Sequence, residues 1–404
     1  MGARSRREFL VASGLAGAAL VLPIAVRGGA SGPEVLAPSL WLGVHPDGRI
    51  VFAGTKLEMG QGILTALAVL VAEELEVDPS AIDVRFPSTD ELAGRERLLE
   101  TSSSSSVTKS WRPVRLAAAG AREMLVAAAA RSWGAPPAEC RAESAGVTHL
   151  PSGRRLTYGA LASAAARETA PKLPRLKKPP EFRRIGRPAS RMEGADIVRG
   201  RIRFGCDERR EGMLYAALAR PPLRGARLRP CDPAPALAVP GVKHVVKVGE
   251  SVAVVAETTW DALQGRAALA PAWDGGEGAD FSSDGFDRLL RQGLDAPSAA
   301  SYDPERKELR ASSVLATGEA PPWPPVESGL VAEYATPFQA HATMEPPNAV
   351  GQVCDGRHEV WCGTQFPGEA VQEIARRFGV PRASVVVHPM QMGGGFGRRE
   401  VPDY

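Results

Sequence analysis

The sequence predicts an α+β fold, because helical and strand-like patterns are mixed along its 404 residues. Apolar runs at Leu40–Val44 and Arg49–Gly54 flank the turn-forming His45-Pro46-Asp47-Gly48, which is typical of a β-hairpin. Leucines then recur on one face of a helix at Ile63–Glu76, and Ile82–Phe86 alternates as a strand. The sequence shows no internal repeat at a fixed period.

More elements of both kinds are predicted further along the chain. Trp111–Trp133 reads as a long Ala-rich helix, which Ser110 would cap and which carries Pro113 in its first turn. Two β-rich runs followed by a helix indicate a small α+β domain. The predicted elements from here to the end are helices at Tyr158–Ala166, Thr259–Ala270 and Gly368–Phe378, and strands at Val242–Val248, Val252–Ala256, Glu359–Trp361 and Val385–Val387.

Length and composition allow two or three domains, with 44% hydrophobic residues to form their cores. Residues 171–188 are rich in Pro, Lys and Arg and are expected to be a linker and domain boundary. Residues 277–330 lack hydrophobic periodicity and are expected to form a surface crossover. The predicted segments are a leader at 1–32, a first large segment at 33–170, the linker, a small domain at 189–276, the crossover, and an incomplete last segment at 331–404.

Charge and cysteine usage exclude several classes of function. Lys and Arg (49) nearly balance Asp and Glu (46), and the two signs are interspersed, so nothing indicates a nucleic-acid partner. The five cysteines are scattered without a C-x-x-C pair, and the six histidines are equally dispersed. We therefore expect no iron–sulfur cluster and no protein-ligated metal in this chain.

The N-terminus has the pattern of a twin-arginine export signal. Arg6 and Arg7 directly precede an apolar, Ala- and Gly-rich run at Phe9–Val26. A membrane-anchoring helix is the alternative interpretation, and an uncleaved leader would tether the protein to the membrane. The signal predicts a periplasmic location, and this export route indicates a cofactor loaded before the protein crosses the membrane.

Two glycine-rich segments are candidates for binding an anion. Met392–Arg399 contains four glycines in five positions, whose N–H groups could surround an anion beside the charged donors Arg398 and Arg399. Lys56–Gly62 directly precedes the first helix, so its N–H groups could face an anion at the positive end of the helix dipole. Simple turns remain the alternative for both segments. Neither segment matches a dinucleotide-binding or P-loop pattern.

Four short motifs together carry a resemblance to a known family: Glu58–Gly62, His341–Pro346, Thr364-Gln365 and Gly393–Gly397. The chain resembles the molybdopterin-binding large subunit of the xanthine dehydrogenase and aldehyde oxidase family. Its motif order is similar to that of the isoquinoline 1-oxidoreductase branch, in which the Glu-x-Gly-Gln-Gly segment comes first. The resemblance implies that residues 33–170 and 331–404 are molybdopterin-binding segments and that 189–276 is the family's hammerhead domain.

The resemblance also assigns roles to individual residues. Gln365 is expected to donate a hydrogen bond to the apical oxo group of molybdenum, which the pterin dithiolene holds without a protein ligand. The Phe396 and Gly397 backbone is expected to approach the same oxo group. The other expected cofactor contacts are Gly60, Gln61, Gly62, Ser105, Ser106, Thr108, Gly394, Gly395 and Arg398.

The implied activity is hydroxylation of N-heterocycles or oxidation of aldehydes, with water as the oxygen source. The cofactor would be molybdenum–molybdopterin in its cytosine dinucleotide form, and electrons would leave through a small [2Fe-2S] subunit to a cytochrome-type acceptor. The family's base glutamate is expected outside this chain, which would need a C-terminal half. Neither Glu58 nor Glu345 is expected to be the base, and Glu345 is expected to pair with His341 or to have a packing role.

Two other interpretations stay open at this point. The chain could be a truncated remnant that binds a partner or the cofactor without turnover. It could also be an exported binding protein that shares only the fold.

Overall fold

The computed structural model of the protein describes residues 20–25, 36–92, 98–276, 278–294, 300–303, 308–311 and 334–403. The chain divides into two compact units. The first comprises Met1–Arg209 together with Gln339–Tyr404, and the second comprises Arg210–Phe338. Helices and strands are mixed in both units, which confirms the predicted α+β class.

The first unit begins with a four-stranded sheet in the order β1 to β4. Strand β3 is antiparallel to β2 and parallel to β4, and helix α1 makes the crossover between these two parallel strands. The predicted hairpin, helix and strand are therefore confirmed. The elements are β1 (Leu20–Ala25), β2 (Leu36–Val44), β3 (Ile50–Ala53), α1 (Ile63–Leu75) and β4 (Ile82–Arg85).

Helix α2 (Ser106–Trp133) packs its small-residue stripe against α1. It begins five residues earlier than predicted, so Ser110 is a buried residue inside the helix and not its cap. Pro113 accordingly lies in the third turn, where it cannot donate to the Lys109 carbonyl. This helix start was missed because its first turn is polar. A small sheet and helix complete this part: β5 (Cys140–Glu143), β6 (Gly146–His149), β7 (Arg155–Thr157) and α3 (Tyr158–Ala165).

Residues 171–188, the predicted linker, lie within the first unit, whose N-terminal part extends to Arg209. Glu73 and Glu74 of α1 are both fully buried, and they accept hydrogen bonds from residues within 171–188. The short helix α4 (Gly194–Val198) also belongs to the first unit. A carboxylate pair on α1 thus holds a segment whose composition had indicated a flexible connection.

The second unit contains an antiparallel sheet in the order β10-β11-β8, covered by a helix. Two predicted strands and the predicted helix are confirmed here: β10 (Val242–Val248), β11 (Ser251–Ala256) and α6 (Thr259–Leu269). The third strand of the sheet, β8 (Tyr215–Ala219), was not predicted. Its other elements are β9 (Arg227–Leu228), α5 (Ala234–Leu237), β12 (Trp273–Asp274), α7 (Ser283–Leu294), β13 (Ala300–Asp303) and β14 (Glu308–Ala311).

The predicted crossover therefore has secondary structure of its own. Helix α7 and the β13–β14 hairpin both fall in it, although no periodicity had been recognised there. Phe286, Leu289 and Leu290 have the i, i+3, i+4 spacing of one helical face. The Pro-rich stretch at 321–325 lies outside the described residues.

The first unit ends with a second small sheet, β15 (Ala349–Cys354), β16 (Arg357–Cys362) and β17 (Val385–Pro389). Strand β16 is antiparallel to β15 and parallel to β17, with helix α8 (Pro367–Phe378) between the parallel strands. This is the same order and pairing as β2, β3, α1 and β4. The structure thus contains a repeated ββαβ topology that the sequence had not shown as a periodic repeat.

Most of the predicted leader lies outside the described residues, so the export signal stays a prediction. Its described part, Leu20–Ala25, is the strand β1, paired antiparallel with β2. Among the described residues, no helix combines the length and apolar character needed to cross a membrane.

Candidate functional site

Four loops meet at the carboxyl ends of the parallel strands in the two ββαβ motifs. They follow β3 (54–62), β4 (86–92 and 98–105), β16 (363–366) and β17 (390–399). The carboxyl ends of parallel strands are where open α/β sheets bind ligands. This convergence places three of the four family motifs side by side.

Backbone hydrogen bonds hold the four loops together. The Met392 N–H donates to the Glu58 carbonyl at 3.0 Å, and the Thr101 N–H donates to the Gln365 carbonyl at 3.1 Å. The Gln365 N–H in turn donates to the Arg399 carbonyl at 2.9 Å. A small apolar cluster lies beneath them, formed by Leu57, Leu92, Leu99 and Met392.

The loop before α1 is closed by a carboxylate of its own. Glu58 is fully buried, and its Oε1 accepts hydrogen bonds from the N–H groups of Gly60 and Gly62, both at 2.9 Å. Its Oε2 accepts from the Leu64 N–H at 3.1 Å. The anion at this helix N-terminus is therefore Glu58 itself. Both oxygens of this carboxylate are engaged by the loop, and the expectation that Glu58 is not the base stays a prediction.

The Gln61 side chain also forms hydrogen bonds within this loop. Its Oε1 accepts from the Met59 N–H at 2.7 Å, and its Nε2 donates to the Leu57 carbonyl at 2.9 Å. Gly60 and Gly62 have φ values of 109° and 81°, which favour glycine. The Gln61 side chain therefore shapes the turn, and its expected contact with the pterin stays a prediction.

The second glycine loop is held by a buried ion pair. The Glu345 Oε2 accepts from the Gly393 N–H at 2.8 Å and from the Arg399 guanidinium at 2.7 Å. Arg399 is fully buried and also donates to the carbonyls of Gly363, Gly394 and Glu345. Both groups are thus committed to the shape of the loop.

Two expectations are corrected here. Glu345 pairs with Arg399 rather than with His341, so its packing role is confirmed but that partner is wrong. Arg399 does not add a donor for an external anion, because its buried guanidinium donates to carbonyl groups of the protein. Arg398 forms an ion pair with Asp403 at 2.8 Å.

Gln365 lies at the centre of the site. It is almost completely buried, and its Nε2 donates to the Thr101 carbonyl at 2.7 Å. Its Oε1 is buried, and it has no hydrogen-bond partner among the residues that the structure describes. Thr101 is a residue that sequence reasoning missed: its hydroxyl accepts from the Leu57 N–H at 2.7 Å, so it joins three loops. Only its place at the start of a hydroxyl-rich loop could have indicated this.

The residues around the Gln365 amide fit a bound cofactor. A Cβ on Gly395 would lie 3.2 Å from the Gln365 Oε1 and 2.6 Å from the Met59 sulfur, so a larger residue here would displace the Met59 side chain. Cβ atoms on Gly60 and Gly62 would meet nothing within 4 Å, so these positions face open space. A buried acceptor without a partner, beside loops without side chains, is an arrangement that a ligand with a donor group would satisfy.

The other predicted contacts lie around this centre. Phe396 has a left-handed φ of 51° and an exposed ring, between Gly394 and Gly397, whose φ values are 102° and 88°. Ser105 precedes α2 and its hydroxyl donates to the Ser102 carbonyl, while Ser106 and Thr108 lie in the first turn of α2. Thr108 is exposed, and no described hydrogen bond joins it to the other loops.

A buried lysine lies beneath the serine loop. Lys56 donates to the Glu100 carbonyl at 2.6 Å. Burial lowers the pKa of Lys56, and the nearby positive charge of Lys109 acts in the same direction, whereas Glu100 raises it. Lys109 of α2 pairs with the Glu100 carboxylate at 3.3 Å, and the Ser105 side chain does not cap the N–H groups at the start of α2.

Comparisons with known proteins agree with this geometry. The family described as molybdopterin cofactor-binding domain matches residues 4–188, and a second family with the same description matches residues 327–404. Together the two matches take in more than half of the chain. They meet in space, because the loops after β3 and β4 belong to the first match and the loops after β16 and β17 to the second.

Individual relatives are oxidoreductases. The isoquinoline 1-oxidoreductase subunit beta of Brevundimonas diminuta is 31% identical over 451 residues, covering 98% of this chain and 56% of the relative. The membrane-bound aldehyde dehydrogenase (pyrroloquinoline-quinone) of Gluconacetobacter polyoxogenes is 29% identical, covering 99% and 53%. The crystal structure of quinoline 2-oxidoreductase from Pseudomonas putida 86 is 19% identical with a TM-score of 0.34, covering 51% of this chain and 30% of that one.

The chain spans little more than half the length of the two sequence relatives. The two family matches include both glycine loops and Gln365. The chain belongs to the molybdopterin-binding large-subunit family of the molybdenum hydroxylases.

Proposed function

We propose that this chain is the part of an oxidoreductase subunit that holds molybdenum–molybdopterin, in its cytosine dinucleotide form, between its two glycine loops. The observation that carries the proposal is the buried Gln365 Oε1 without a described partner, beside Gly395. When bound, the cofactor supplies two-electron oxidation of an sp² carbon with oxygen from water. The substrates would be N-heterocycles or aldehydes.

The chain's own residues bind and orient in this proposal. Gln365 faces the cofactor with its Oε1 and with the second hydrogen of its Nε2, while the first hydrogen stays on the Thr101 carbonyl. The Phe396–Gly397 backbone would contact the same region of the cofactor. Gly60 and Gly62 would leave space for the pterin. The phosphates would be held by Ser105, Ser106 and the N–H groups at the start of α2.

Neither Glu58 nor Glu345 is free to act as a base in this arrangement. Glu58 and Glu345 are both committed to backbone N–H groups and arginines. The base would come from a C-terminal half of the subunit. Electrons would pass to a small [2Fe-2S] subunit and then to a cytochrome-type acceptor, and twin-arginine export would place the assembly in the periplasm.

The test is turnover of isoquinoline or quinoline by the assembled protein in ¹⁸O-labelled water. The test uses N-heterocycles and not aldehydes as substrates, because aldehyde carbonyls exchange oxygen with water without any enzyme. One labelled oxygen in the product and two electrons in an artificial acceptor are expected. Unlabelled product, or no turnover of either substrate class by molybdenum-loaded protein, would contradict the proposed reaction.

A further inference from the structure

The carboxylate of Glu58 holds the loop before α1 from the inside. It has four donors: the N–H groups of Gly60, Gly62 and Leu64, and the Arg191 guanidinium at 3.1 Å. It is fully buried, so these bonds are made without competition from water. A Gln at this position would replace one acceptor oxygen by an NH₂ group, which would face these donors. Some of the four hydrogen bonds would therefore be lost.

Arg191 connects this carboxylate to a distant segment of the chain. Its Nη1 donates to the Gly60 carbonyl at 3.3 Å, and its Nε donates to Glu193 at 2.7 Å. The neighbouring Met192 N–H donates to the Thr65 hydroxyl at 3.1 Å. Arg191 therefore fixes both the carboxylate and the backbone of the same turn, which a lysine could not do at once.

The turn that Glu58 shapes also lies against the second glycine loop. The Glu58 carbonyl accepts from the Met392 N–H at 3.0 Å. The next residue, Met59, has its sulfur where a Cβ on Gly395 would come within 2.6 Å. The position of Met59, and with it one wall beside the Gln365 amide, depends on the turn.

We infer that Glu58, held by Arg191, is a positioning residue: it sets the first glycine loop against the second and so forms the wall of the cofactor site beside Gln365. The coupling of the two loops depends only on residues of this chain and not on a bound cofactor. Its consequence for the cofactor rests on the proposed function.

The first experiment measures amide hydrogen exchange in the chain with Glu58→Gln. Exchange at Gly60, Gly62 and Leu64 is expected to rise by about tenfold or more, because a charge-assisted acceptor is lost. Exchange at 392–397 is expected to rise with it. Arg191→Lys, which keeps the charge, should show the same pattern to a smaller extent. It replaces Glu58→Gln in the exchange experiment if Glu58→Gln does not fold.

The matched control is Glu74→Gln. Glu74 lies near the other end of α1, is equally buried and is paired with Arg115 and Arg122. This variant is expected to lower global stability while both glycine loops keep their wild-type exchange relative to the rest of the unit. Unchanged exchange at 392–397 in Glu58→Gln, or the same loop acceleration in Glu74→Gln, would overturn the inference.

The second readout is molybdenum per folded chain in the assembled protein. Wild type and Glu74→Gln are expected to retain the metal, and Glu58→Gln to lose most of it. Equal molybdenum in Glu58→Gln and wild type would overturn the positioning role. A wild-type protein without molybdenum would instead contradict the proposed function, and the exchange data would still decide the loop coupling.

Discussion

At the scale of single residues, buried charges shape the site without entering its chemistry. Glu58 and Glu345 each accept hydrogen bonds from a glycine loop, and each is paired with an arginine. The sequence motifs placed both carboxylates in the right loops. They could not identify Arg191 and Arg399 as partners, because these contacts join residues that are 133 and 54 positions apart.

The Glu345–Arg399 pair is expected to be important for stability. Arg399→Lys cannot reproduce four donor contacts, and Glu345→Gln leaves a buried guanidinium without its counterion. Each change should lower the free energy of unfolding by about 3–5 kcal/mol. Urea unfolding measures this, with Arg376→Lys as the control, because Arg376 makes an exposed pair with Glu373 on α8. A loss of less than about 1 kcal/mol in both site variants would contradict the role assigned to the pair.

Two serines of the hydroxyl-rich loop are in a conformation that favours glycine. Ser103 and Ser104 have φ values of 54° and 51°. Ser103→Gly is expected to stabilise the protein by about 1 kcal/mol, because it removes the strain of a left-handed non-glycine residue. Ser102→Gly is the control and should destabilise, because Ser102 has an ordinary φ and its hydroxyl bonds to Glu100. Thermal unfolding of both variants checks the prediction, and a destabilised Ser103→Gly would refute it.

At the scale of elements, hydrophobic periodicity predicted most helices and strands because each has one buried face. It failed where polar residues occupy the first turn of α2, and where α7 follows a Gly-rich stretch. The repeated ββαβ topology was also missed. Gly54-Thr55 and Gly363-Thr364 stand at equivalent positions after β3 and β16, but a shared dipeptide is too short to reveal a repeat.

The contact between α1 and residues 171–188 predicts a pH dependence of stability. Burial tends to raise the pKa of Glu73, but hydrogen bonds from Lys177 and from the N–H groups of Ile185 and Arg184 lower it to about 2, from 4.5. Because the pKa of Glu73 is lower in the folded than in the unfolded state, its ionised carboxylate stabilises the fold above pH 4.5. This stabilisation is lost as the pH falls toward 2. A pKa lowered from 4.5 to about 2 corresponds to a stabilisation of at most about 3 kcal/mol at neutral pH.

Urea unfolding of wild type and Glu73→Gln from pH 7 down to the acid limit tests this contact. The variant is expected to be less stable at neutral pH, and the difference should shrink through the window between the two pKa values. A difference that stays constant with pH would mean that the carboxylate's charge does not stabilise the folded state.

At the scale of the whole molecule, the family and the α+β class were predictable from sequence, because the glycine and glutamine motifs are local. Domain division was not, since the composition of 171–188 gives no sign that Glu73 and Glu74 bind it. Separate segments build the site: the loops after β3 and β4 meet the loops after β16 and β17. The chain spans little more than half of its relatives, so the complete assembly is part of the proposal.

The most direct measurement is the cofactor content of the protein, prepared with and without the proposed C-terminal half of the subunit. Elemental analysis for molybdenum and acid release of cytidine monophosphate are expected to give about one of each per chain in the assembled protein. Pyrroloquinoline quinone is assayed in the same samples, because one relative is named for it. Absence of molybdenum from both samples, or quinone in its place, would contradict the claim that these two glycine loops hold a molybdenum cofactor.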